Sequence, residues 1–266
     1  DTLISISSLD YSSFIENAQH YVRVRSVDNA GLSSIWVHLG SFWWDNVNES
    51  PEHPTALYEP VDAVVGTLTP DFVWGIATDV DPGDASSSLS YSGSIFNGSE
   101  SYSFSTTAGD TTHTVGDALT ENGAYSWSVQ SHDDEGLSSS WSDTVNFWVN
   151  SYNEAPLAFE LIEPGDDTLD TSTPTFNWFA AIDPDINASL SYSLRYSLSS
   201  NFLTYSEVTG ISDTVYTLTN ELEDDLTYYW KVQVSDEYGL SSWSSSTQSF
   251  AVNAVETEPS TPEGKT

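Results

Sequence analysis

Apolar and polar side chains alternate with a period of two along most of the chain. Tyr21-Val22-Arg23-Val24-Arg25, Tyr125-Ser126-Trp127-Ser128-Val129 and Tyr228-Tyr229-Trp230-Lys231-Val232-Gln233-Val234 are the clearest runs. Such alternation predicts strands with one face buried and one wet. No segment of helical length carries a capped stripe of period 3.6, and Ser, Thr, Tyr, Trp and Val abound, so the predicted fold is all-β. Within 153–253 seven short strands are expected, near 158–162, 175–179, 190–198, 205–208, 214–218, 228–234 and 248–252. About seven alternating strands in about 100 residues make a two-sheet β-sandwich.

The pattern recurs. Asp28-Asn29-Ala30-Gly31-Leu32-Ser33-Ser34 returns as Asp133-Asp134-Glu135-Gly136-Leu137-Ser138-Ser139 and again as Asp236-Glu237-Tyr238-Gly239-Leu240-Ser241-Ser242. Asp1-Thr2, Asp110-Thr111 and Asp213-Thr214 open equivalent segments, which Phe42, Phe147 and Phe250 close. A spacing of roughly 100 residues is a whole small domain, not a solenoid unit. The linker Asn48-Glu49-Ser50-Pro51 likewise matches Asn153-Glu154-Ala155-Pro156. The expected organisation is the C-terminal part of one domain (1–47, strands E, F and G), complete domains at 48–152 and 153–253, and a linker or tail at 254–266. The chain is expected to be a piece of something longer. Linkers this short, bounded by proline, predict consecutive domains strung out in a row.

The second strand of each complete unit carries a Trp, Trp74 and Trp178, and a Leu stands six residues before a Tyr at the head of a later strand, Leu119 with Tyr125 and Leu222 with Tyr228. In these features the chain resembles the fibronectin type III family of immunoglobulin-like sandwiches, as found in tandem in microbial cell-surface or secreted proteins. The Leu and Tyr match that family's tyrosine corner; the partial unit has Phe14 and His20 instead. The resemblance implies that the Asp-x-x-Gly phrases are turns between strands F and G, where Gly supplies positive φ and Asp caps the turn. It also places Trp36, Trp141 and Trp243 over strand F, with Arg23 or Arg25 and Lys231 within cation–π reach. Core and edge packing is the expected role of these Trp residues, with a carbohydrate-stacking platform as the alternative.

Charge narrows the function. The chain of 266 residues carries 40 acidic and 5 basic side chains, a net charge of −35. The cations are Arg23, Arg25, Arg195, Lys231 and Lys265, so 48–152 has none. Nucleic acid and anionic membranes, which need a basic patch, are excluded as expected partners. Aromatic residues at 13%, ten Trp among them, supply the apolar area that disordered acidic chains lack. No apolar run is long enough for a membrane-spanning helix. The chain has no Cys, which removes disulfides and thiolate chemistry. The Ser-rich, Lys-poor composition, with Asn-x-Ser sequons at Asn48, Asn97 and Asn187, predicts an extracellular or cell-surface protein that could be glycosylated there.

No nucleophile, zinc-protease, phosphate-loop or dinucleotide motif is present. The five His (20, 38, 53, 113 and 132) occupy unrelated positions, and no catalytic role is expected. One constellation stands out. After each core Trp comes an acidic loop, Asp79-Val80-Asp81-Pro82-Gly83-Asp84 and Asp183-Pro184-Asp185-Ile186-Asn187. In the fibronectin type III topology that loop, the F–G turn and the incoming linker share one pole. The arrangement is similar to the acidic interdomain junctions of cadherins. Calcium takes six to eight oxygen ligands, and the candidates are Asp45, Asn48, Asp79, Asp81 and Asp133 at one junction and Asn150, Asn153, Asp183, Asp185 and Asp236 at the next. A solvated acidic loop with Asx-turns is the competing expectation. The composite reading is a structural or adhesive module acting as stalk, filament or surface-layer component. Its expected partners are neighbouring domains or copies of the same protein, with surface glycans as further candidates. A non-catalytic accessory region of a large secreted hydrolase is the alternative.

Overall fold

A computed structural model describes residues 11–254. The chain divides into two compact units, one ending at Val149 and one starting at Asn150, and each is described by itself.

In the first unit a short 3-10 turn (Tyr11–Ser13) precedes a hairpin of β1 (Ala18–Val24) and β2 (Val37–Trp44), paired from Ala18↔Trp44 to Val24↔Val37. These correspond to strands F and G of the partial domain; the expected strand E falls outside the described residues. Asp28 Oδ1 accepts from the Ala30 and Leu32 N–H groups, and Gly31 has φ 87°, which is the expected turn. Phe14, His20, Phe42 and Trp44 form one ring cluster on one side of the hairpin. Tyr21, Leu39 and Trp43 are more than half exposed. A two-stranded sheet with this much open apolar surface is marginal alone. A peptide of residues 1–47 is expected to show no cooperative thermal transition by circular dichroism.

In the rest of this unit β3 (Leu57–Glu59), β5 (Asp71–Trp74) and β8 (Thr112–Thr114) form one sheet. The facing sheet runs β4 (Ala63–Val65), β10 (Val145–Val149), β9 (Ala124–His132), β6 (Ser90–Phe96), β7 (Ser101–Ser105). The second unit repeats this. β11 (Leu161–Glu163), β13 (Thr175–Trp178) and β16 (Val215–Thr217) make the small sheet. The large one runs β12 (Thr168–Leu169), β19 (Gln248–Val252), β17 (Thr227–Ser235), β14 (Ser191–Ser197), β15 (Ser206–Ile211), with β18 (Ser241–Trp243) added to β17. Both are two-sheet β-sandwiches with strands A, B and E facing A′, G, F, C and C′, the fibronectin type III arrangement. The fold is all-β, with two complete sandwiches and part of a third.

The structure departs from the sequence expectation in strand A. One strand near 158–162 becomes two, β11 and β12, on opposite sheets, with Pro164 between them. A proline has no N–H for the ladder, so pairing stops there and the chain changes sheet. Pro60 does the same between β3 and β4. The carbonyls of Pro60 and Pro164 accept from the buried indole N–H groups of Trp127 (2.7 Å) and Trp230 (3.0 Å).

The cores are aromatic. Phe72 packs edge-on against Trp127 and Phe176 against Trp230, each at 4.9 Å between centroids. They differ most in volume at the following cross-strand pair. Gly93 on β6 faces Phe104 on β7, where the second sandwich has Leu194 facing Val208. One large ring and no side chain fill the space that two aliphatic side chains fill in the other.

The tyrosine corners are formed: the hydroxyl oxygens of Tyr125 and Tyr228 accept from Thr120 N (2.8 Å) and Glu223 N (3.0 Å). In the partial domain His20 takes this place, its Nε2 lying 3.2 Å from Ile15 N and 3.1 Å from Ile15 O. Tyr125→Phe would take that acceptor from the Thr120 N–H, and because Thr120 is exposed and water can replace it, the loss is that of an ordinary hydrogen bond, about 0.5–1.5 kcal/mol. Domain-resolved amide exchange is expected to show it in 48–152 alone.

Candidate functional site

The acidic pole assembles in both complete sandwiches with the same hydrogen bonds. In 48–152, Asp79 Oδ1 accepts from Asp81 N (3.1 Å), and Asp81 Oδ2 accepts from the linker's Glu49 N (2.9 Å). In 153–253, Asp183 Oδ1 accepts from Asp185 N (2.9 Å) and Asp185 Oδ2 from Glu154 N (2.8 Å). The F–G turns complete the pole. Asp133 Oδ1 accepts from Gly136 N (2.6 Å) and Leu137 N (2.7 Å), while its Oδ2 accepts from Asn48 Nδ2 (3.1 Å). Asp236 does likewise with Tyr238 N and Leu240 N, both 2.9 Å, and Asn153 Nδ2 at 2.8 Å. Burial works to raise the Asp236 carboxyl, but Asn153 and the turn N–H groups outweigh it and hold it below its ordinary value.

These bonds sort the sequence-derived candidates. Asp133 and Asp236 have both oxygens engaged, so they act as turn caps that grip the linker amide. Asn48 and Asn153 are the gripped groups; Asn48 Nδ2 is the atom a glycan would need. Asn97 has its side chain tied to Ser99 and Glu100, whereas Asn187 is exposed. Asn150 is half-buried and no hydrogen bond draws it into the pole. Asp45 is exposed, and its carboxyl is raised by desolvation and then by the charges of Asp81, Glu16 and Asp79.

Four carboxylate oxygens are left over. Asp79 Oδ2, Asp81 Oδ1, Asp183 Oδ2 and Asp185 Oδ1 are buried and accept no hydrogen bond, and Asp81 and Asp185 are only 6% and 8% exposed. One oxygen from each of Asp79, Asp81 and Asp84 lies within 4.8 Å of the other two. The sequence reading missed Asp84 as a member, and also Glu16 and Asn17. Glu16 Oε1 accepts from the linker N–H groups of Asn46 and of Val47 (3.0 Å), and Asn17 Nδ2 donates to Glu49 Oε2 (3.0 Å). The recurrence of Glu16-Asn17 as Glu121-Asn122 was the available signal.

Asp84 also meets Asp134 and Glu135. The Glu135 carboxyl is pushed up to about 7, first by its hydrogen bond with the Asp134 carboxyl, then by desolvation and the charges of Asp134 and Asp84. A carboxyl raised from 4.5 in this way binds its proton more tightly in the folded state. The stability it contributes is full below pH 4.5 and is lost as the pH rises through about 7. Without divalent cations, melting of 48–152 is expected to shift upward as the pH is lowered through that window. Glu135→Gln is expected to flatten the shift, as calorimetry over a pH series would show.

Elsewhere the Trp platforms differ between domains. Trp36 lies under Arg25 (4.7 Å) and Arg23 (5.7 Å), and Trp243 under Lys231 (4.0 Å) and Arg195 (4.7 Å). Arg195, which also pairs with Glu207 at 2.6 Å, was not foreseen. Trp141 has Ser128 and Ser94 where Lys231 and Arg195 stand in the second sandwich, and is 46% exposed. His132 bridges Ser138 Oγ (2.7 Å) and Ser92 Oγ (2.8 Å) across strands, and His113 stacks on Phe104 at 4.0 Å.

No protein-family description matches the chain, and no curated protein matches it. Among solved structures, the crystal structure of chicken CNTN1 FN1-FN3 domains is similar at 13% identity, covering 90% of this chain and 79% of that one with a TM-score of 0.35. Strand order and pairing within each sandwich define the fold.

Proposed function

We propose that this chain is a segment of an extracellular structural or adhesive protein, a string of sandwiches serving as stalk, filament or surface-layer component. The observation that carries the reading is the repeated clamp on the linker. Asn48 and Glu49 are held by Asp133 and Asp81 as Asn153 and Glu154 are held by Asp236 and Asp185. A module that fixes its own incoming linker holds the chain in one course where it enters the sandwich, which suits a spacer. The acidic surface and Asn-x-Ser sequons support an extracellular setting, and neighbouring domains or copies of the same protein are its partners.

The second reading, a non-catalytic carbohydrate-binding region of a secreted hydrolase, is favoured by Trp141, which carries no cation over its ring as Trp36 and Trp243 do. Pulling on 48–253 by force spectroscopy separates the two. A spacer is expected to give two unfolding events, each releasing about 300–350 Å of chain for about 100 residues, together with a blank glycan array. Glycan binding that Trp141→Ala abolishes would favour the second reading.

A further inference from the structure

The four partnerless oxygens are the least explained groups in the molecule. A buried acceptor without a donor is costly, and a buried charge more so. Yet the same two atoms of the same two aspartates are left bare in both sandwiches. Their other oxygens are occupied by the Asp81, Asp185, Glu49 and Glu154 N–H groups, so the carboxylates are held in place with one lone-pair face each turned to an unfilled partner. Burial, with the charges of Asp134, Asp79, Asp133 and Asp81, pushes the Asp84 carboxyl up. Burial also raises Asp183, beside Asp185 and Asp236. The strain is therefore electrostatic, and 48–152 has no Lys or Arg to relieve it.

We propose that each complete sandwich binds a calcium ion at this pole, through Asp79, Asp81 and Asp84 in the first and through Asp183 and Asp185 in the second. Oxygens bound to one calcium at about 2.3–2.6 Å lie no more than about 5 Å apart, which the trio within 4.8 Å satisfies. The donors are all oxygen, with no His or Cys among them, as a hard cation requires. The second pole has Ala188 in the place of Asp84, one carboxylate fewer, and affinity in such sites follows ligand charge. The first site is the tighter. It also lies beside Asp45 and Glu16, whose charges bear on each other across the linker, so its ion neutralises both sides of the joint. Asp133 and Asp236 position the linker amide and do not ligate.

The test uses the whole chain, stripped with a chelator and titrated with calcium chloride, with magnesium chloride, and with sodium chloride at matched ionic strength. Calorimetric melting and domain-resolved amide exchange are the readouts. Calcium is expected to raise both melting transitions, that of 48–152 at the lower concentration, and to do so well beyond either other salt. Asp81→Asn is expected to weaken binding at the first pole at least about tenfold and leave the second unchanged, and Asp185→Asn the reverse. If Asp81→Asn lowers the fold of its own domain through the Glu49 bond, Asp79→Asn gives the same reading without touching the linker. Equal stabilisation by the three salts, or a calcium response in the variants equal to that of the unaltered chain, would overturn the proposal and leave an acidic surface relieved by screening only.

Discussion

Trp178→Ala is expected to unfold residues 153–253 and leave 48–152 folded. The indole is 2% exposed and packs on Tyr192 at 5.5 Å. Removing a buried aromatic costs about 3–5 kcal/mol, against about 5–15 kcal/mol for a small domain. The two cores share no residue, so the substitution opens a cavity in the core of 153–253 alone. Trp178 Nε1 makes no hydrogen bond, so Trp178→Phe is expected to cost much less, by reducing volume alone. Trp230→Phe removes a bond to Pro164 as well as volume. Amide exchange resolved by domain checks all three, and equal loss of protection in both domains would show that they melt as one.

Gly93→Leu is expected to destabilise 48–152 by about 1–3 kcal/mol or more, the cost of overpacking. Even a Cβ at Gly93 would stand 2.0 Å from the Phe104 ring. That ring is stacked on His113 at 4.0 Å and backed by Phe72 and Trp74 at 6.1 and 5.6 Å, so it cannot swing clear. Phe104→Val alone is expected to destabilise by opening a cavity. The double variant, which recreates the Leu194–Val208 pair, is expected to recover most of both losses. Urea melts of the four proteins form the cycle, and strict additivity of the two losses would contradict the account.

Strands with one wet face were legible because burial on one side imposes the period of two. Tyr125–Val129 and Tyr228–Val234 lie within β9 and β17, whose burial alternates along their length. Strand A was not, because Pro164 and Pro60 act through a missing donor that hydrophobic pattern does not register. His20 was seen as a departure from a tyrosine corner; only coordinates show an imidazole nitrogen meeting the backbone of the equivalent residue, Ile15. At the pole the residue set was readable from repetition, but the division of labour was not. Asp81 and Asp133 are both acidic, buried and recurrent. Which one is saturated by N–H donors and which keeps a bare oxygen depends on turn geometry that spacing does not specify.

The exchange of Leu and Val for Gly and Phe bears on how neighbours of one ancestry are synthesised side by side. Tandem homologues held by short tethers meet at high effective concentration while still incomplete, and intermixing of segments is their characteristic misfolding route. A hybrid joining β6 to β15 would set Gly93 against Val208 and leave a hole; one joining β14 to β7 would force Leu194 onto Phe104. Each mismatch penalises the chimera and leaves the proper pairing untouched. Complementary volumes at this pair thus favour each domain's own strands over its neighbour's.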